Sequence, residues 1–161
     1  LVELSDTRST DDERIACLQT ALNHVAGRPC EEAAMKHFRW FLDDHEVYTR
    51  VETVLVDAAY RLGELAYEAG DHELARWAAD KGLLVVPGQE ALHRIQMKAA
   101  SLAGDEQGVE DAYRAAMRSA EALSAWEDVQ PETDELYAKL TRRGVAAPPP
   151  TSGGLEDSWR L

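Results

Sequence analysis

One dipeptide occurs twice in the chain at a distance that limits what the chain can fold into. Gly70-Asp71 and Gly104-Asp105 are 34 residues apart. Glycine ends helices because it tolerates a left-handed backbone, and aspartate begins them because its carboxylate accepts hydrogen bonds from first-turn N–H groups. Thirty-four residues is the length of a repeating pair of helices. The period therefore predicts consecutive helix pairs.

Small residues occupy the positions of this period at which two helices cross closely. With Val56 as position 1, Gly63 is position 8, Ala75 is position 20, Gly82 is position 27 and Pro87 is position 32. Larger side chains would force the helices apart, and we expect Gly63 close to the facing helix near Ala75. The spacing predicts an all-α, tetratricopeptide-like, right-handed stack of antiparallel helix pairs, about six to seven helices in all.

The second copy of the repeat is looser than the first. It begins at Glu90, and Met97 and Val109 replace the small residues at positions 8 and 20. Position 32 is Glu121 instead of proline, so its second helix is expected to continue without a break.

Apolar residues at helical spacing and clear stop signals predict six helices. The first follows the capping box Thr10-Asp11-Asp12-Glu13 and ends by Gly27 and Pro29, and the others span about 43–70, 71–87, 89–104, 105–123 and 131–143. Two alternatives stay open. Residues 30–41 are either helical or irregular, with Phe38, Trp40 and Phe41 expected to anchor them to the core, and Leu83–Val86 is either helix or a short strand.

The last residues differ in composition from the rest. Residues 145–161 contain three consecutive prolines and the pair Gly153-Gly154, a composition typical of a flexible tail. We therefore divide the chain into a helical domain at 1–144 and a tail at 145–161. The whole chain begins with Leu1 and not Met, from which we expect it to be a piece of a longer protein.

Charge and composition narrow the classes of function. The chain has 30 acidic and 17 basic residues, a formal net charge of −13, and no basic cluster of the kind that binds nucleic-acid phosphates. It has no signal peptide and no apolar run of membrane-spanning length. Cys17 and Cys30 are expected to be reduced thiols. These features predict a cytoplasmic protein segment that neither binds DNA directly nor inserts into a membrane.

The one candidate for a metal or acid–base site is Asp43-Asp44-His45 with His37 upstream. Because these carboxylates stand where a helix begins, capping is the favoured interpretation. The sequence has no phosphate-binding loop and no nucleophile motif. We therefore predict no catalytic, cofactor-binding or metal-binding residues, and no enzyme activity.

Several short motifs, taken in order, resemble the bacterial transcriptional activator domain (BTAD) family. The resemblance covers about residues 11–143, and no single motif decides it. It is carried by Leu62-Gly63-Glu64-Leu65, Glu68-Ala69-Gly70-Asp71-His72, Pro87 with Glu90 and His93-Arg94, Gly104 with Ala112-Tyr113, and Val129-Gln130-Pro131-Glu132-Thr133 with Leu136-Tyr137 and Leu140.

The resemblance implies a tetratricopeptide-like domain that contacts other proteins and has no catalytic residues. Such domains usually follow a winged-helix DNA-binding domain, so we expect a regulatory module of a larger bacterial transcriptional regulator. One alternative is the cytosolic BTAD of a membrane-anchored envelope protein with a LysM domain, which would tether this segment to the membrane. Another is a small-ligand sensor, and a homodimer also stays open.

The repeat positions also predict a partner-binding groove. In tetratricopeptide pairs the first helix of each repeat lines the concave side. Its exposed positions here are Ala91 and the six candidate groove residues, Asp57, Tyr60, Glu64, Tyr67, Arg94 and Lys98. Tyrosine and arginine often anchor interfaces, so we predict a protein or peptide partner. The alternative is that Phe38–Leu42 or the sixth helix covers this face.

Overall fold

A computed structural model describes residues 10–29, 45–123 and 128–144. These residues form six helices and no strand, which confirms the predicted all-α class. The helices are α1 (Asp11–Leu22), α2 (His45–Glu68), α3 (His72–Val85), α4 (Glu90–Ala103), α5 (Glu106–Leu123) and α6 (Pro131–Gly144). In this described part of the chain, none of the helices is long and apolar enough to span a bilayer.

The two Gly-Asp dipeptides form equivalent turns, as predicted. Gly70 and Gly104 have φ angles of 79° and 74°, in the left-handed region that favours glycine. The backbone N–H groups of Asp71 and Asp105 donate to the carbonyl five residues earlier, at 2.8 and 2.9 Å. Their carboxylates accept from the N–H three residues later, at 2.9 and 2.8 Å. Each dipeptide therefore ends one helix and begins the next.

Consecutive helices pack against one another from α2 to α5, and α2 also contacts α4 directly. Helix α1 packs on α2, and α6 packs on α4 and α5. The larger core joins α1 to α4, and we call it the N-terminal core. Its buried residues are Leu18, Leu22, Val25, Ala58, Ala59, Leu62, Ala66, Ala75, Ala78, Ala79, Val85, Leu92, Ile95 and Ala99.

Two glycines permit the closest approaches in the N-terminal core. A Cβ atom at Gly82 would lie 2.5 Å from Leu92 Cδ1 and 2.7 Å from Ala59 Cβ. A Cβ atom at Gly63 would lie 2.7 Å from Ile95 Cγ2. The atoms that an added Cβ at Gly63 would meet first therefore belong to α4, which α2 contacts directly. The expected approach of Gly63 to α3 near Ala75 stays a prediction.

A smaller core joins α4, α5 and α6, and we call it the C-terminal core. Met97, Val109 and Ala112 are its buried residues. Tyr113 and Tyr137 lie beside them, with ring centroids 4.1 Å apart and ring planes 9° apart. Helix α4 is thus covered on two sides, since it also contributes Leu92, Ile95 and Ala99 to the N-terminal core.

Three details differ from the sequence-based expectations or complete them. Helix α1 ends at Leu22, before the Gly27 and Pro29 signals. The alternative of a strand at Leu83–Val86 is wrong, because α3 continues to Val85. The predicted second helix carries valines at helical spacing near its beginning. These are Val47, Val51 and Val54, and they are 36–41% exposed, because the buried residues of α2 begin only at Ala58.

Some predictions concern residues outside the described part of the chain. These are the anchoring role of Phe38, Trp40 and Phe41, the thiol of Cys30, the cluster of His37, Asp43 and Asp44, and the tail at 145–161. They stay predictions.

Candidate functional site

A groove of about 440 Å³ lies between α2 and α4. Pockets of this size hold small molecules or a few side chains of a partner. The groove is lined by Thr49, Glu52, Thr53, Val56, Asp57 and Tyr60 of α2, Val86 and Gln89 of the turn after α3, and Ala91 and Arg94 of α4.

The α2 wall of the groove is a single helical face. Its residues follow one another at alternating intervals of three and one from Thr49 to Tyr60, as expected for one face of a helix with 3.6 residues per turn. Eleven residues of helix rise about 16 Å, the length of about five residues of extended peptide. Thr49, Thr53 and Tyr60 are exposed, so the groove is open to solvent along its length.

The groove has a mixed polar and apolar lining. The apolar residues Val56, Val86 and Ala91 are partly buried, and so are the polar residues Glu52 and Gln89. This mixture differs from a closed apolar cavity, the type that most often holds a small apolar ligand.

The structure divides the six predicted groove residues into two sets. Asp57, Tyr60 and Arg94 line the groove. Glu64, Tyr67 and Lys98 are not among its lining residues and contact one another instead. Lys98 Nζ lies 2.6 Å from Glu64 Oε1, with both side chains about a quarter exposed, and 5.6 Å from the centroid of the Tyr67 ring. This second set therefore forms a satisfied ion pair between α2 and α4.

Arg94 is held by the beginning of α6. Its Nη1 donates to Gln130 Oε1 and to Thr133 Oγ1, both at 3.0 Å. The Thr133 hydroxyl, which is fully buried, donates in turn to Glu90 Oε2 at 2.8 Å. The backbone N–H of Gln130 donates to the same Glu90 oxygen at 2.9 Å. The sixth helix, one of the two possible covers that the sequence left open, therefore reaches the edge of the groove but does not line it. The other possible cover, Phe38–Leu42, lies outside the described residues.

The two remaining carboxylates of the groove differ in their surroundings. Asp57 forms an ion pair with Arg61, with Oδ2 and Nε 2.9 Å apart, on a surface where both side chains are more than 40% exposed. Within the described part of the chain, no ion pair or hydrogen bond joins the Glu52 side chain to another residue.

Sequence reasoning missed the half of the groove that precedes the repeat. The motif begins at Val56, whereas α2 begins at His45, so Thr49, Glu52 and Thr53 have no repeat position. Stepping back from Tyr60 by three or four residues along the predicted helix would have found them.

Two further polar groups, His93 and Asp105, have partners within the fold. Buried His93 bonds through Nδ1 to Gln96 Oε1 at 3.0 Å and through Nε2 to the Pro87 carbonyl at 3.3 Å. A second hollow of about 290 Å³ between α3, α4 and α5 contains Asp105, whose carboxylate caps α5. Among residues 10–29, 45–123 and 128–144, no three His, Cys, Asp or Glu side chains are grouped as a metal ion would require.

The chain matches no family model, no curated protein sequence and no solved structure. These comparisons do not test the resemblance to the BTAD family, which stays a prediction from the motifs.

Proposed function

We propose that this chain is a non-enzymatic interaction module that binds a segment of another protein in the groove between α2 and α4. The observation that supports this most is the groove itself, because it lies on the face where the repeat positions place Asp57, Tyr60 and Arg94. Its open, mixed lining suits an extended peptide, whose backbone and alternating side chains need both polar and apolar contacts.

The module is proposed to be the BTAD part of a larger bacterial transcriptional regulator with a tetratricopeptide-like arrangement of helices. The equivalent Gly-Asp turns 34 residues apart support that arrangement, as does the contact between α2 and α4, the first helices of two successive repeats. In such a regulator a peptide bound here would link the partner to DNA binding by a separate domain. The full gene tests this point, since we expect a winged helix before this segment. A LysM domain and membrane helices would instead identify an envelope protein.

Site-specific crosslinking tests the groove. Tyr60 is replaced by p-benzoylphenylalanine in the protein expressed in its native cells, and the crosslinked partner segment is identified by mass spectrometry. A synthetic peptide of that segment is then titrated against the wild type and the Tyr60→Ala variant. We expect about tenfold or greater loss of affinity, as for an aromatic interface anchor.

A matched crosslinker at Arg118, which is exposed on α5 and does not line the groove, is the control. We expect no common product from the two positions. If Arg118 and Tyr60 capture the same segments with equal yield, or if Tyr60→Ala leaves the affinity unchanged, the groove is not the binding surface.

A further inference from the structure

The charged groups at the groove are not equally available to a partner. Glu64 and Lys98 neutralise each other at 2.6 Å, with each side chain about a quarter exposed, and a partner would have to break this ion pair to use either one. The sequence alone suggested two cations, Arg94 and Lys98, facing the acidic groups of α2. In the structure, Lys98 is paired with Glu64 and does not line the groove.

The positive charge of Arg94 is also partly offset by a nearby carboxylate of the same chain, Glu90. Its guanidinium and the Glu90 carboxylate share the Thr133 hydroxyl as a common hydrogen-bond partner, at 3.0 and 2.8 Å. A negative charge therefore lies within two hydrogen bonds of the positive charge. Since Thr133 is fully buried, this arrangement holds Arg94 against α6 and weakens its attraction for an acidic partner.

The other wall of the groove is different. Asp57 is paired with Arg61, but this ion pair is exposed, and exposed pairs exchange partners at little cost. Glu52 lines the groove, and no ion pair joins its carboxylate to a cation among the described residues. Among the described residues, Glu52 of α2 is therefore the groove carboxylate that no ion pair neutralises.

We propose that the groove binds a basic peptide segment, in which a lysine or arginine side chain pairs with Glu52. This inference rests on the proposed peptide-binding function and adds the chemistry of the peptide. The neighbours of Glu52 fit such a side chain, because Val56 and Val86 can contact its aliphatic stem while the charged end reaches the carboxylate. The net charge of −13 also attracts a cationic partner during encounter.

Binding of defined peptide pools tests the proposal. The probes are three pools of nine-residue peptides with acetylated and amidated ends, in which alternate positions are fixed as Lys, Gln or Glu and the others vary among Ala, Ser, Val, Leu and Tyr. Binding is measured by fluorescence polarisation with labelled pools, and the contact site by amide chemical-shift changes. We expect the Lys pool to bind more tightly than the other two, with shifts along Thr49 to Tyr60.

The Glu52→Gln variant keeps the shape of the side chain and removes its charge. We expect about tenfold weaker binding of the Lys pool, as for loss of a charge-assisted hydrogen bond. Glu121→Gln is the matched control, because it removes the same charge from an exposed position of α5 outside the groove. Its affinity for the Lys pool should equal that of the wild type.

The outcomes separate this inference from the proposed function. If the Gln or Glu pool binds in the groove as tightly as the Lys pool, the function stands and the preference for a basic segment is wrong. Equal losses from Glu52→Gln and Glu121→Gln would trace binding to overall charge and would also overturn the inference. If none of the pools binds, the peptide-binding function is itself overturned.

Discussion

The N-terminal and C-terminal cores are packed from different kinds of residue. The N-terminal core brings helix backbones together over alanine and glycine, and a single added Cβ at Gly82 would lie within 2.7 Å of two neighbours. The C-terminal core contains the stacked rings of Tyr113 and Tyr137 beside three buried apolar residues. It is tied by polar bonds, from the Tyr113 hydroxyl to Asp134 at 2.6 Å and from Thr133 to Glu90 at 2.8 Å.

This difference predicts two kinds of sensitivity. Close backbone packing leaves no room for a larger side chain, and the neighbours cannot move without moving a helix. A polar and aromatic contact tolerates changes of volume but depends on partners, protonation and hydrogen-bond geometry. We therefore expect volume changes to damage the N-terminal core most, and loss of individual polar atoms to damage the C-terminal core most.

The largest effect is expected at Gly82. Gly82→Leu places a branched side chain where even Cβ lies 2.7 Å from Ala59 Cβ, an atom attached directly to the α2 backbone. We expect the free energy of unfolding to fall by more than about 3 kcal/mol, at the upper end of overpacking costs. Urea denaturation measures this change.

Two variants provide comparisons for the stability loss of Gly82→Leu. Gly63→Leu should cost at least about 1–3 kcal/mol, because an added Cβ there would meet a single close neighbour, the γ2 methyl of buried Ile95, whereas at Gly82 it would meet two residues. Ala122→Leu, at an exposed position of α5, should stay within about 0.5 kcal/mol of the wild type. A Gly82→Leu protein as stable as Ala122→Leu would show that α2, α3 and α4 do not meet closely at this glycine.

The same contrast explains how much of the fold could be predicted from the sequence. Two helices can approach closely only where side chains are small or absent. Glycines at fixed positions of the repeat, such as Gly63 and Gly82, therefore reveal these contacts in the sequence. The turns at Gly70 and Gly104 were visible for a similar reason, since a left-handed backbone favours glycine. Local chemistry therefore predicted the helices and their order.

The candidate site was only partly predictable because its charges depend on distant residues. Arg94 bonds to Thr133, which is 39 residues away, and Lys98 pairs with Glu64, which is 34 residues away. Helical periodicity places each side chain on a face but does not say which opposite charge meets it. For that reason the sequence indicated the helix faces that carry these side chains, but not which of their charges are paired within the fold.

The next largest loss of stability is expected from the hydrogen bonds that join Thr133 of α6 to Arg94 and Glu90 of α4. Thr133→Val keeps the volume of a fully buried side chain but removes the hydroxyl that bonds Arg94 and Glu90. Hydrogen bonds to charged groups contribute about 1.5–3 kcal/mol each, and Gln130 still bonds both groups. We expect a loss of about 2 kcal/mol in the free energy of unfolding, measured in urea.

Thr141→Val is the control in the same helix. Its hydroxyl is exposed and donates to the Tyr137 carbonyl within α6, so the change should be within about 0.5 kcal/mol. Equal effects of the two valine variants would mean that the Thr133 hydroxyl does not tie α6 to α4. The comparison of the two cores would then rest on the aromatic contact alone.

The smallest effect depends on pH and concerns Tyr113. The hydrogen bond to the Asp134 carboxylate, with some burial and the negative charge of that group, raises the pKa of Tyr113 from 10.0 to about 12. Folding therefore favours the neutral phenol. Its contribution to stability is fully present below pH 10 and is lost as the pH rises through about 12. Since the contact is exposed to solvent, we expect the Tyr113→Phe variant to lose less than about 1 kcal/mol at pH 7.

Absorbance at the phenolate band measures this ionisation directly. The difference between the titration curves of the wild type and the Tyr113→Phe variant should contain one phenol that ionises near pH 12. Asp134→Asn keeps the side-chain shape and removes the carboxylate, so the same phenol should then ionise closer to pH 10. Tyr60→Phe, on the other side of α4, should leave the component near pH 12 in place. If the phenol lost in Tyr113→Phe ionises near pH 10 already in the wild type, the Tyr113 hydroxyl is not bonded to Asp134, and the C-terminal core is held at this point by ring stacking alone.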